Sequence, residues 1–64
     1  MDKAIAIFEL NATEHPTSSN VWDSLGEACL LAGRREAAIQ HYRKSLELDP
    51  SNENARSVLA QLRL

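Results

Sequence analysis

The 64-residue chain predicts an all-α fold of four antiparallel helices, and three observations predict it. Apolar residues recur at i, i+3, i+4 and i+7 in four separate stretches, and no stretch alternates with period two. Pro16, Gly33 and Pro50 fall between those stretches, where helices have to stop. Shifting the chain along itself by 34 residues lays one pattern on another.

The first helix, about 2–14, places Ala4, Ile5, Phe8 and Ala12 on one stripe, with Ile7 and Leu10 widening it. The second, about 19–32, gathers Val21, Trp22, Leu25, Ala28, Cys29 and Ala32. Ser18 or Ser19 can cap its start by accepting a bond from an unsatisfied N–H, and Gly33 can close it in a left-handed conformation. The third, about 35–48, carries Ala38, Ile39, Tyr42 and Leu46. Arg34 is a poor cap, so this corner must rely on tertiary packing. The fourth, about 53–63, carries Ala55, Val58, Leu59 and Leu62 behind a cap at Ser51 or Asn52. Connections of a few residues force neighbouring helices to run antiparallel.

Composition narrows the function. A domain of this size buries only about 60% of the surface its unfolded chain exposes, so association is an expected source of extra stability. The single cysteine, Cys29, excludes an internal disulfide, and with two histidines it falls short of a four-ligand zinc site. No catalytic residues, cofactor or metal site are expected. The formal charge is −2, with five acids and one base in residues 1–33 against four acids and six bases in residues 34–64. There is no dense basic face for nucleic acid, and no apolar run approaching the ~20 residues a membrane span needs. No signal-peptide pattern is present, which makes the cytoplasm the default compartment. Met1-Asp2-Lys3 reads as an artificial start or an internal cut.

The 34-residue shift aligns Ala4 with Ala38, Ile5 with Ile39, Pro16 with Pro50, Asn20 with Asn54, Leu25 with Leu59 and Leu30 with Leu64, and puts Phe8 on Tyr42. Trp22-x2-Leu25-Gly26-x2-Cys29, then Ala38-x3-Tyr42, then Pro50, resembles the tetratricopeptide signature, with Cys29 in place of an aromatic. The resemblance implies that 19–52 is one complete repeat. Residues 1–18 would then be the second helix of a preceding repeat, and 53–64 the first helix of a following one or a cap. It implies a repeat core of Ala4, Phe8, Trp22, Leu25, Gly26, Cys29, Ala38, Tyr42, Pro50 and Leu59. Gly26, and Ala60 at the matching place, would let helix backbones approach closely, while Trp22, Leu25 and Tyr42 fill the wedge between helices. The runs Asn20–Ala28 and Ser51–Ala55 are also similar to C-terminal repeat tails on bacterial serine hydrolases, which implies an appendage of an enzyme, exported with it in some cases.

The family implies a protein or peptide partner, and a concave face lined by the first helix of each pair. Here that face would carry Asn20, Asp23, Glu27, Leu30, Asn54, Ser57 and Gln61. Asp23 and Glu27 have the wrong sign for holding a peptide carboxylate and suit a basic or polar segment. Arg56 and Arg63 stand where an internal repeat puts apolar bulk, the pattern of a solvated end at which the parent chain would stop. At the other end Ile5, Ile7, Phe8 and Leu10 form a wide apolar face that a soluble monomer seldom leaves bare. The expectation is self-association through the first helix, most simply as a homodimer. Head-to-tail assembly is the second choice, because it would bury Arg56 and Arg63.

The remaining chemistry-bearing residues read as structural. Asn11-Ala12-Thr13 matches a glycosylation sequon but lies within a helix. Cys29 sits on an apolar stripe and reads as core. His41 is expected on the outer face of the third helix. Ser24 and Ser45 lack a base beside them.

Overall fold

The computed structural model describes residues 2–62 and folds them into α1 (Asp2–Glu14), α2 (Ser19–Leu31), α3 (Arg35–Leu48) and α4 (Glu53–Leu62). Each helix packs on the next, α1 on α2, α2 on α3 and α3 on α4, so the chain is all-α and its helices stack in sequence order. The Cα extents are 27 × 25 × 13 Å. The third is barely more than one helix diameter, so few side chains are fully enclosed. The buried apolar set is Ile5, Ala12, Leu25, Ala28, Cys29, Ala38, Tyr42, Ala55 and Leu59.

The turns show why the helices end where they do. At the end of α2, Gly33 has φ 79°, its N–H donates to the Leu30 carbonyl at 3.0 Å, and the Arg34 N–H donates to the Cys29 carbonyl at 2.8 Å. That nested pair of bonds satisfies carbonyls the helix leaves open, and it requires a left-handed residue at Gly33. Ala32 is therefore a cap and α2 stops at Leu31. At the start of α4 the Asn52 side-chain oxygen accepts the Ala55 N–H at 3.1 Å. Of the two residues able to cap this helix, Asn52 does so. Ser51 instead turns to Asp49, its N–H and hydroxyl both donating to Asp49 Oδ1.

Ser18 occupies the cap position of α2, but its hydroxyl makes no capping bond, contrary to expectation. Longer-range contacts hold this corner instead. Trp22 Nε1 donates to the Pro16 carbonyl at 3.0 Å, and Ser45 Oγ on α3 donates to the Ser19 carbonyl at 3.0 Å. Arg34 stands at the cap position of α3 and its side chain makes no capping bond, as its chemistry suggests. Residues 63 and 64, and with them Arg63 and the Leu30–Leu64 match, lie outside the described residues, as does Met1.

Candidate functional site

Most of the expected repeat core is buried, but not all of it. Leu25, Gly26, Cys29, Ala38, Tyr42 and Leu59 are enclosed. Gly26 matters for space: a Cβ on it would lie 2.8 Å from Cδ2 and Cε2 of Tyr42. The close approach is thus of an aromatic ring to a helix backbone, rather than of two backbones. Ala60, the counterpart of Gly26, is exposed and makes no such approach. Ala4, Phe8 and Trp22 are only half-buried, and Pro50 is exposed and acts through its carbonyl.

Trp22 is half-buried and packs against the core without being enclosed by it. It lies at the edge of α2, stacked on His41 with ring centroids 5.8 Å apart and an interplanar angle of 29°. His41 is half-buried rather than facing outward, because the Trp22 ring of α2 stacks on it. Burial pushes the His41 pKa down, and Glu9 partly opposes that. Glu9, Thr13, Trp22 and His41 rim a cleft of about 220 Å³ over Ala12 and Leu25. Burial likewise raises the Cys29 thiol pKa and the Tyr42 hydroxyl pKa, with Glu27 and Asp23 adding to the latter. A buried thiol held protonated is a poor nucleophile.

A polar chain that sequence reading missed joins three helices. Ser45 is fully buried on α3, and Asn52 Nδ2 donates both to Ser45 Oγ and to Asp23 Oδ2, each at 2.9 Å. With the Ser45 bond to Ser19, this ties α2, α3 and the start of α4 together. The signal was present in the sequence: Ser45 lies three residues after Tyr42 and seven after Ala38, on the inward stripe. Asp23 is accordingly half-buried rather than a freely solvated acid, and its Oδ1 is buried without a protein partner among the described residues. The other residues expected on the concave face divide by exposure. Asn20, Glu27, Asn54, Ser57 and Gln61 are exposed, and Leu30 is half-buried.

The apolar face of α1 differs from expectation in one residue. Ile5 is only 3% exposed, because α1 rolls Ile5 and Ala12 inward onto α2. Ile5 therefore cannot belong to an external contact face. What remains outside is Ile7 at 60% and Leu10 at 59%, with Phe8 half-buried beside them. Leu31, on α2, is 70% exposed. Between α1 and α2 runs an open groove of about 260 Å³ lined by Ala4, Phe8, Ser24, Glu27, Ala28 and Leu31. The walls are mainly apolar, with Glu27 contributing one carboxylate.

No group of three or more His, Cys, Asp or Glu positioned to hold a metal ion occurs among the described residues, and no helix there is long and apolar enough to cross a membrane. The chain is similar to the peroxisomal targeting signal receptor of Saccharomyces cerevisiae, 39% identical over 59 residues, and to that of Candida glabrata, 36% identical over 59 residues. Each match covers 92% of this chain but only 10% of the receptor, so the chain spans about a tenth of the length of these relatives. The family model described as tetratricopeptide repeat matches residues 1–51. With the 34-residue internal period and the sequential helix stack, this chain belongs to the tetratricopeptide-repeat family.

Proposed function

We propose that this chain is a non-catalytic protein-interaction module that associates with a second copy of itself through the region of α1. The observation that carries the reading is the exposed apolar set Ile7, Leu10 and Leu31 beside an open groove. A small domain gains from covering such a surface, since burial is worth roughly 25 cal/mol per Å² of apolar area. The named relatives are receptors rather than hydrolases, which favours recognition over a role as an enzyme's appendage.

The test is sedimentation equilibrium over a range of concentrations, on the chain and on an Ile7→Glu, Leu10→Glu variant. Both side chains are exposed, so the variant keeps its helices. Association that this variant loses supports the reading. A folded monomer at every concentration in both sinks self-association.

A second reading rests on Asp23 and Glu27. Asp23 Oδ1 has no protein donor among the described residues, and Glu27 is exposed one turn further along α2. Together with Asn20, Leu30, Asn54, Ser57 and Gln61 they suit a basic or polar peptide segment. Saturable binding of a lysine-rich peptide that Glu27→Lys abolishes would support this reading. Binding unchanged by Glu27→Lys would remove it.

A further inference from the structure

The internal period lets one half of the molecule report what the other half is shaped to receive. Under the 34-residue shift, Ala4, Ile7, Phe8 and Asn11 on α1 correspond to Ala38, His41, Tyr42 and Ser45 on α3. In the α3 set three meet α2 directly, and the fourth, Ala38, is fully buried. Ala38 and Tyr42 are buried, Tyr42 lies against Gly26, His41 under Trp22, and Ser45 donates to the Ser19 carbonyl. In the α1 set Ala4, Phe8 and Asn11 are half-buried and Ile7 is exposed, beside the open groove. The groove therefore has the form of a seat for a helix of the α2 kind.

Helix α4 is of that kind. Trp22, Leu25 and Gly26 correspond to Arg56, Leu59 and Ala60, and Ser19 corresponds to Glu53. The correspondence extends to the turn that sets each helix. Trp22 Nε1 donates to the Pro16 carbonyl at 3.0 Å, and Arg56 Nη2 donates to the Pro50 carbonyl at 2.7 Å. These prolines are themselves one period apart. We infer that α4 of a second copy seats in the α1–α2 groove, giving head-to-tail association rather than a two-fold dimer. The inference rests on the self-association reading and adds its geometry.

In that register Ala60 of the second copy lies over Phe8, and Arg56 of the second copy lays its aliphatic stem over Ile7. Asn11 donates to the Glu53 carbonyl of the second copy, as Ser45 does to Ser19. The arginine is no obstacle, because Trp22 at the same place is itself half-buried and Arg56 already rests on its own turn carbonyl. The methyl of Ala60 requires the Phe8 ring to lie further out than Tyr42 does over Gly26. A half-buried ring at the rim of an open groove has that freedom. Charge runs the same way: residues 1–33 carry five acids and one base, and residues 34–64 carry four acids and six bases. Screening keeps that contribution small, so it sets direction more than affinity.

The test uses sedimentation velocity with circular dichroism to confirm that each chain is folded. Ala60→Glu spoils the inserted helix and Leu31→Glu spoils the groove, both at exposed positions. Each alone should weaken association more than about tenfold, since either buries an unpaired charge. Mixed together they should form a one-to-one complex that does not grow, because one retains the groove and the other the helix. The parent chain should grow past a dimer, as an open head-to-tail contact does. Leu10→Lys should leave association intact, because Lys44 stands at the corresponding place on α3. Loss of association in Leu10→Lys, with Ala60→Glu unaffected, would overturn the geometry in favour of a two-fold contact and leave self-association standing. A mixture that stays monomeric while the parent associates would also overturn it. A parent chain that never associates would overturn both readings.

Discussion

The Tyr42 ring of α3 lies against α2 at Gly26, where a Cβ would be 2.8 Å from two ring carbons. Tyr42 is enclosed and cannot swing away. Gly26→Ala should gain about 1 kcal/mol of helix propensity and lose more than that through overpacking, for a net loss of about 1–2 kcal/mol. Urea denaturation followed by circular dichroism measures it. A variant more stable than the parent would mean that the ring moves freely.

Asn52 serves three partners at once, the Ala55 N–H, Asp23 Oδ2 and Ser45 Oγ. Asn52→Ala should cost about 2 kcal/mol, from a lost cap and lost bonds to half-buried groups. Asn52→Asp keeps a capping oxygen but sets a carboxylate against Asp23. Its stability should therefore fall at neutral pH and recover as the medium is acidified. Equal loss at both pH values would assign the cost to the missing Nδ2 donor bonds, and no loss at either would show that the amide contributes only as a cap.

Gly33 is the only positive-φ residue among those described, and nothing lies within 4 Å of where its Cβ would be. Gly33→Ala therefore tests backbone strain without a steric clash. The expected loss is about 1 kcal/mol, measured by thermal unfolding. No change would place the strain elsewhere in the turn.

These cases show what was legible in the sequence. Gly33 is legible as a turn residue, and the α4 cap narrows to Ser51 or Asn52, because turn chemistry is local: a left-handed residue and a capping side chain are needed at fixed offsets from the helix ends. The helix stack followed from spacing and the 34-residue period. How each helix rolls about its axis did not. Ile5 and Ile7 are two residues apart, and only the contact with α2 decides that the first is buried and the second bare. Likewise, the sequence places Asp23 on the concave face but hides its bond to Asn52, which is 29 residues away. The spacing along α3 alone turns His41 outward, since the neighbour that covers it, Trp22, belongs to another helix.

His41 gives the fold a pH dependence with a defined sign. Burial lowers its pKa below the ordinary 6.5, so the unfolded chain binds that proton more readily than the folded one. Stability is then complete above about 6.5 and declines as pH falls through that value toward the folded pKa. Glu9 opposes the shift, so Glu9→Gln should steepen the decline. His41→Phe keeps a ring under Trp22 and should remove the decline in this range. Urea midpoints at neutral pH and about one unit below the ordinary histidine value measure all three chains. A His41→Phe variant that keeps the parent's slope would assign it to another group.

The recurrence of the turn bonds, Trp22 to Pro16 and Arg56 to Pro50, bears on how such a chain can change in length. A donor and acceptor that repeat together every 34 residues survive the duplication or excision of a whole unit, since each helix meets only its neighbours. Removing one residue from within a helix breaks that phase for everything beyond it, turning Leu25-type positions outward and solvent positions inward. Viable genes for this architecture should therefore differ by whole units, with smaller insertions confined to the short connections.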